Sequence, residues 1–187
     1  MTDLVELRVR ALAHGGDAIA HPEQAETRET WFVEGAIPGE LVRVEALDAN
    51  AKRRRGRVVE VVEPSPERVA PPCPHAEACG GCQWQHIDPE RQAAHKAEIV
   101  RGQLRRLPLE VKRVIPSPAH AGYRRRARLH YEVQGGKLSL GFFGARSRSV
   151  VDVDRCVVVH PVLAAAFQRR REIVEVLPEK GEVHGLT

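Results

Sequence analysis

The chain has 187 residues, a net charge of +4 and 42% apolar residues, but only eight aromatics among Phe, Trp and Tyr. That length suits two small units whose cores are built from Val, Leu, Ala and Ile rather than from rings. The charged opening MTDLVELRVR and the lack of any run of ~20 apolar residues argue against a secretory leader and a membrane helix, so the expectation is a cytoplasmic protein.

Residues 1–50 carry four basic and ten acidic side chains, whereas 121–160 sum to +5, so positive charge is concentrated in the later part. Arg outnumbers Lys 24 to 5, which suits bidentate phosphate contacts and equally a GC-rich coding bias.

From Val5 to about Val62, short alternating apolar segments are separated by Gly15-Gly16 and by Gly35 to Gly39, a pattern that predicts a small, nearly closed five-stranded barrel. The run Lys52 to Arg57 is expected to project from its last hairpin as a basic loop. Glu63-Pro64-Ser65-Pro66 and Ala70-Pro71-Pro72 read as a stiff linker. The expected organisation is a barrel over 1–66, a cysteine-rich segment with a helix over 67–110 and a sheet-and-helix domain over 111–187, a β-rich α+β protein.

The helix begins at Asp88-Pro89-Glu90, with an N-cap acid and proline at the first helical position. Ala93, Ala97, Val100, Leu104 and Leu107 form its expected apolar stripe, and Pro108 ends it. Strict alternation from Tyr123 to Val133 then predicts a strand with Arg124, Arg126, Arg128 and His130 on one face. Further strands are expected over 138–143 and 149–153, with a turn at Gly135-Gly136 and a helix over 161–177. The stretch 182–187 reads as a strand cut short.

Cys73-x₅-Cys79-x₂-Cys82 lies far ahead of Cys156. In a reducing compartment such spacing points to metal rather than disulfides. The x₂ pair aims both sulfurs at one centre, and Gly80-Gly81 is expected to free the backbone for that turn. Three clustered thiolates with a remote fourth suit an iron–sulfur centre. Zinc is the rival, held by four cysteines or with His75 or His86 in place of one. Both histidines are otherwise read as surface or hydrogen-bonded residues.

The cysteine segment, Cys73-Pro74-His75 and Cys79 to His86 with Gln92 and Lys96, resembles the iron–sulfur segment of bacterial RNA uridine-5-methyltransferases acting on large-subunit ribosomal RNA. Gly15 to Ala20, Phe32-Val33, Pro38-Gly39-Glu40 and Pro64 to Val69 are similar to that family's TRAM barrel. Tyr123 to Ala127, Gly141 to Phe143 and Val150 to Cys156 resemble its central domain. The resemblance implies a [4Fe–4S] cluster on Cys73, Cys79, Cys82 and Cys156, joining the segment after the barrel to the central sheet. It also implies a ribosomal RNA partner and, for the whole enzyme, S-adenosylmethionine as methyl donor.

The family's catalytic cysteine must be a free thiolate. Here all four cysteines are assigned to the cluster, and no strand followed by a glycine-rich turn and helix offers a cofactor site. The expectation is therefore a recognition part without catalytic or S-adenosylmethionine-binding residues, its methyltransferase domain missing or separately encoded. The alternative is a stand-alone RNA-binding module with a structural metal. A methylthiotransferase is disfavoured, because those need C-x₃-C-x₂-C. The expected RNA contacts are Arg53, Arg54 and Arg55 of the basic loop and Arg124, Arg126, Arg128 and His130 of the strand. His130, Tyr131 and Trp84 are the candidate stacking rings.

Overall fold

A computed structural model describes residues 4–23, 29–48, 54–134, 137–169 and 180–186. Strands β1 (Leu4–Leu12), β2 (Ala18–Pro22), β3 (Trp31–Glu34), β4 (Leu41–Asp48) and β5 (Arg54–Glu63) close a barrel in the order β1-β2-β3-β5-β4. Closure comes from β3 lying parallel to β5, with Trp31 opposite Arg54 and Val33 opposite Gly56. Alternation places Leu7, Val9, Ala18, Ala20, Trp31, Val33, Val42 and Val44 inside, all at most 2% exposed. The turn before β2 needs glycine. Gly16 has φ +100°, and a Cβ there would come within 2.8 Å of the Gln83 side chain.

Helix α1 (Pro89–Leu104) starts as expected, with the Asp88 carboxylate accepting from the Glu90 amide at 3.0 Å. Its buried face agrees with the expected stripe at Ala97 and departs from it elsewhere. Ala97 is buried and Ile99 packs on the barrel core, whereas Val100 and Leu107 are exposed. The helix also stops at Leu104, before Pro108.

A second, four-stranded antiparallel sheet has the order β8-β7-β6-β9, from β6 (Arg126–Gln134), β7 (Lys137–Phe143), β8 (Val150–Asp152) and β9 (Lys180–Leu186). Ala127, Leu129, Tyr131 and Leu140 fill one face, covered by Leu163 and Phe167 of α2 (Pro161–Gln168). The expected turn at Gly135-Gly136 and the continuation of α2 over 170–177 lie outside the described residues.

The chain packs as two compact units. One takes 1–70 and 83–116, the barrel with α1, and the other takes 71–82 and 117–187. The cysteine-rich segment is therefore not a unit of its own, contrary to the division at 67 and 110. Its loop packs with the second sheet and its helix with the barrel, because non-local pairing overrides chain order.

Candidate metal centre and arginine face

The loop 73–82 folds on itself through backbone hydrogen bonds. Ala76 N–H donates to the Cys73 carbonyl at 3.2 Å, and Cys79 N–H to that of His75 at 2.8 Å. It is then fastened to the end of β7, where Gly80 N–H donates to the Phe143 carbonyl at 2.9 Å and Cys79 pairs with Gly144. The glycine at 80 serves this close approach rather than turn freedom. Neither Gly80 nor Gly81 has positive φ, and a Cβ at Gly80 would lie 2.9 Å from the Gly144 carbonyl oxygen.

Cys156 sits on a turn that also belongs to the second unit, and it packs against that unit's core. All four cysteines are half-buried and unbridged. Burial pushes the Cys79 thiol up, a Gly81 N–H donating to its sulfur at 3.4 Å pulls it down, and the neighbouring Cys82, Cys73 and Cys156 push it up again. The Cys156 thiol is likewise raised by burial, opposed by amides of Val158 and Val159, and raised further by Cys82 and Cys73. Four thiols thus share one electrostatic neighbourhood, and amide donors already point at two of the sulfurs. Among the described residues no group of three or more His, Cys, Asp or Glu side chains is closed up tightly enough to hold a metal ion.

The histidines named as zinc rivals are engaged elsewhere. The His75 Nε2 meets the Asp154 carboxylate at 2.7 Å, which holds that carboxyl below its usual range and links the cysteine loop to the turn before Cys156. His86 belongs to the barrel unit, where burial foremost and Arg68 next hold its imidazole below the usual range.

The expected basic loop is mostly strand. Arg54 and Arg55 lie in β5 and are neutralised internally. Arg54 meets Glu29 at 3.1 Å and lies over the Trp31 ring, while Arg55 meets Asp17 at 3.0 Å and Glu34 at 3.7 Å. Folding brings those acids from β3 and from the loops beside β2 and β3, so a reading of the local run overcounts its free charge. Arg53 lies outside the described residues.

In the second unit Arg126 and Arg128 are exposed on the sheet face opposite α2, and His130 shares that face half-buried. Arg124 does not continue the alternation. It precedes β6, its amide donating to the Val158 carbonyl at 2.8 Å and its carbonyl accepting from His160. Of the proposed stacking rings, Tyr131 is 4% exposed in the core, and Trp84 packs on the barrel with its indole N–H donating to the Gly16 carbonyl. Sequence reasoning missed Phe143, whose ring stacks on His130 at 3.7 Å between centroids. The alternation along residues 138–143, with 141 opposite 130, is the signal that sets 143 and 130 on one face.

No family model matches the chain. Over 180 residues it is 41% identical to the 23S rRNA (uracil(1939)-C(5))-methyltransferase RlmD of Halomonas elongata, covering 92% of this chain and 36% of that protein. The RlmD of a Marinomonas strain is 38% identical, covering 81% of this chain and 35% of that one. Among solved structures, the tRNA (uracil-54, C5)-methyltransferase of Pyrococcus abyssi, in complex with S-adenosyl-L-homocysteine, matches with a TM-score of 0.60 and 27% identity, covering 90% of this chain and 36% of that chain. The chain belongs to the RNA uracil-C5 methyltransferase family and spans a little over a third of the length of the relatives it matches.

Proposed function

We propose that these residues are the RNA-recognition part of an S-adenosylmethionine-dependent 23S rRNA (uracil-C5-)methyltransferase, acting in the cytoplasm, and that methyl transfer is carried out by residues outside this chain. The reading rests on the 41% identity to the Halomonas elongata enzyme along nearly the whole chain. The chemistry agrees with it. C5 methylation of uracil needs a free thiolate nucleophile, and the four cysteines of this chain all belong to one unit and couple to one another.

We propose further that Cys73, Cys79, Cys82 and Cys156 would hold a [4Fe–4S] cluster. In support, all four lie in one unit, on a loop and a distant turn, and amides of Gly81 and of Val158 and Val159 are directed at the sulfurs of Cys79 and Cys156. When bound, such a cluster would supply covalent links between the loop and the Cys156 turn; His75 and Asp154 join the same two pieces by a hydrogen bond, and Gly80 ties the loop to the end of β7.

Two measurements test the proposal. Iron and acid-labile sulfide analysis of anaerobically purified protein should give about four of each per chain; zinc without sulfide overturns the cluster. Replacing Arg124, Arg126 and Arg128 with alanine should weaken binding to a 23S rRNA fragment and flatten its salt dependence by up to about 0.9 log units per lost phosphate contact on duplex. Unchanged binding overturns the assignment of these arginines.

A further inference from the structure

We propose that the stacked rings of His130 and Phe143 form a platform for an unpaired RNA base, flanked by Arg126 and Arg128 for the adjoining phosphates. The inference rests on the reading of this chain as an RNA-recognition part and specifies the form of RNA it takes.

The geometry is unusual for a solvent-facing sheet. In the β6–β7 register His130 lies opposite Gly141, which offers it no side chain, and its imidazole reaches diagonally to Phe143 with an interplanar angle of 15°. The Cβ position of Gly141 is taken up by the Val151 carbonyl oxygen and the Val153 side chain, so covering that glycine does not account for the rings. The two lie parallel, and neither is buried. The opposite face of the same strands carries the unit's core, with Tyr131 and Leu140 under α2. The apolar requirement of the fold is therefore met elsewhere.

Charge selects the occupant. The described residues of this unit hold ten basic and five acidic side chains, whereas those of the barrel unit hold fourteen and fifteen. The sheet face presents Arg126 and Arg128 as exposed guanidinium groups two and one strand positions before His130 on the same side. A ring pair bordered by arginines matches the arrangement of single-strand binders, where bases stack on π-faces and cations follow the backbone. A duplex hides its base faces and offers phosphates alone, so the platform would not distinguish it from a uniform polyanion. The position of Phe143 is itself fixed, because its carbonyl accepts from Gly80 of the cysteine loop at 2.9 Å. The cysteine loop therefore buttresses the platform.

The test uses the full chain and three labelled probes of equal length: a single-stranded oligouridylate, the same ribose-phosphate strand without bases, and an RNA duplex. The platform predicts that the oligouridylate binds roughly 10-fold tighter than the abasic strand. Phe143→Leu keeps the apolar bulk and should erase most of that preference while leaving the salt slope unchanged. Should that variant unfold, His130→Leu, which leaves the Phe143 backbone and its bond from Gly80 in place, must reduce the preference in the same direction. Base-blind binding by the wild-type chain, a preference for duplex, or full preference retained in a folded Phe143→Leu protein overturns the platform alone. Failure to bind any of the probes or a 23S rRNA fragment overturns the RNA reading and the platform together.

Discussion

Removing the Arg68 side chain should unfold the barrel more easily than any surface change of similar size. Glu40 is fully buried, and its carboxylate accepts from the amides of Ile37 at 2.8 Å and Ser65 at 3.1 Å and from Arg68 Nε and Nη2 at 2.6 and 2.7 Å. In Arg68→Ala the carboxylate keeps its two backbone donors but loses its counter-ion. An uncompensated buried charge costs about 3–5 kcal/mol, and because the Arg68 side chain is 23% exposed, water reaches the vacated site and sets the expectation near 3 kcal/mol. Adding Glu40→Gln removes the charge and retains one acceptor oxygen, so the double variant should recover at least about 1 kcal/mol over Arg68→Ala alone. Urea unfolding followed by tryptophan fluorescence reads this unit selectively, since Trp31 and Trp84, the chain's two tryptophans, both pack in the barrel unit. A loss below about 1 kcal/mol in Arg68→Ala, or simple addition of the two losses in the double variant, would refute the reasoning.

Burial and Arg68 depress the His86 imidazole in the folded state. The unfolded chain, with an ordinary imidazole near 6.5, then takes up the proton first, so barrel stability should fall as pH drops below about 6.5 and level off once the folded imidazole is protonated. His86→Gln should lessen that slope; equal urea midpoints versus pH in both proteins would contradict it. In Gly80→Ala the new Cβ, 2.9 Å from the Gly144 carbonyl oxygen, should push the cysteine loop off β7 and lower the iron retained after gel filtration, whereas undiminished iron would show the loop tolerates it. Trp84→Phe loses the 2.9 Å bond to the Gly16 carbonyl and should cost the barrel about 1 kcal/mol in the same urea assay, a result within error of zero counting against that clasp.

What was legible in the sequence followed the range of the interaction that decides it. The Asp88-Pro89 cap and the strand alternation from Arg126 onward are local, and each agrees with the structure. The helix stripe held only in part: Ala97 is buried as expected, but Val100 and Leu107 match an ideal period and are exposed, while Ile99, off the stripe, packs on the barrel core. The motifs that carry the family resemblance turn out to be partners of one another. Pro38-Gly39-Glu40 meets Pro64 to Val69 through Glu40 and Arg68, and Gly15-Gly16 meets Gln83-Trp84. Gln92 and Lys96 serve the same clasp, the first by donating to the Trp84 carbonyl and the second by lying over its ring. A linear reading sees these as separate signatures. Only the pairing shows that they hold the barrel to the segment after it.

The same distinction governs where RNA affinity resides. Arginines on the barrel strands are matched to acids distant in sequence: Arg8 to Glu23 and Glu63, Arg43 to Glu6 and Glu60, Arg57 to Glu34. A guanidinium already paired releases few counterions on meeting a phosphate and contributes little to a salt-dependent affinity. The excess of cations lies in the second unit, in which the end of β7 anchors the cysteine loop. If that is the RNA-binding surface, neutralising Arg54 and Arg55 should change the salt slope of binding far less than neutralising Arg126 and Arg128, although the first pair belongs to the most basic run in the sequence. Equal slopes for the two double variants in a titration with a 23S rRNA fragment would return the barrel to the interface.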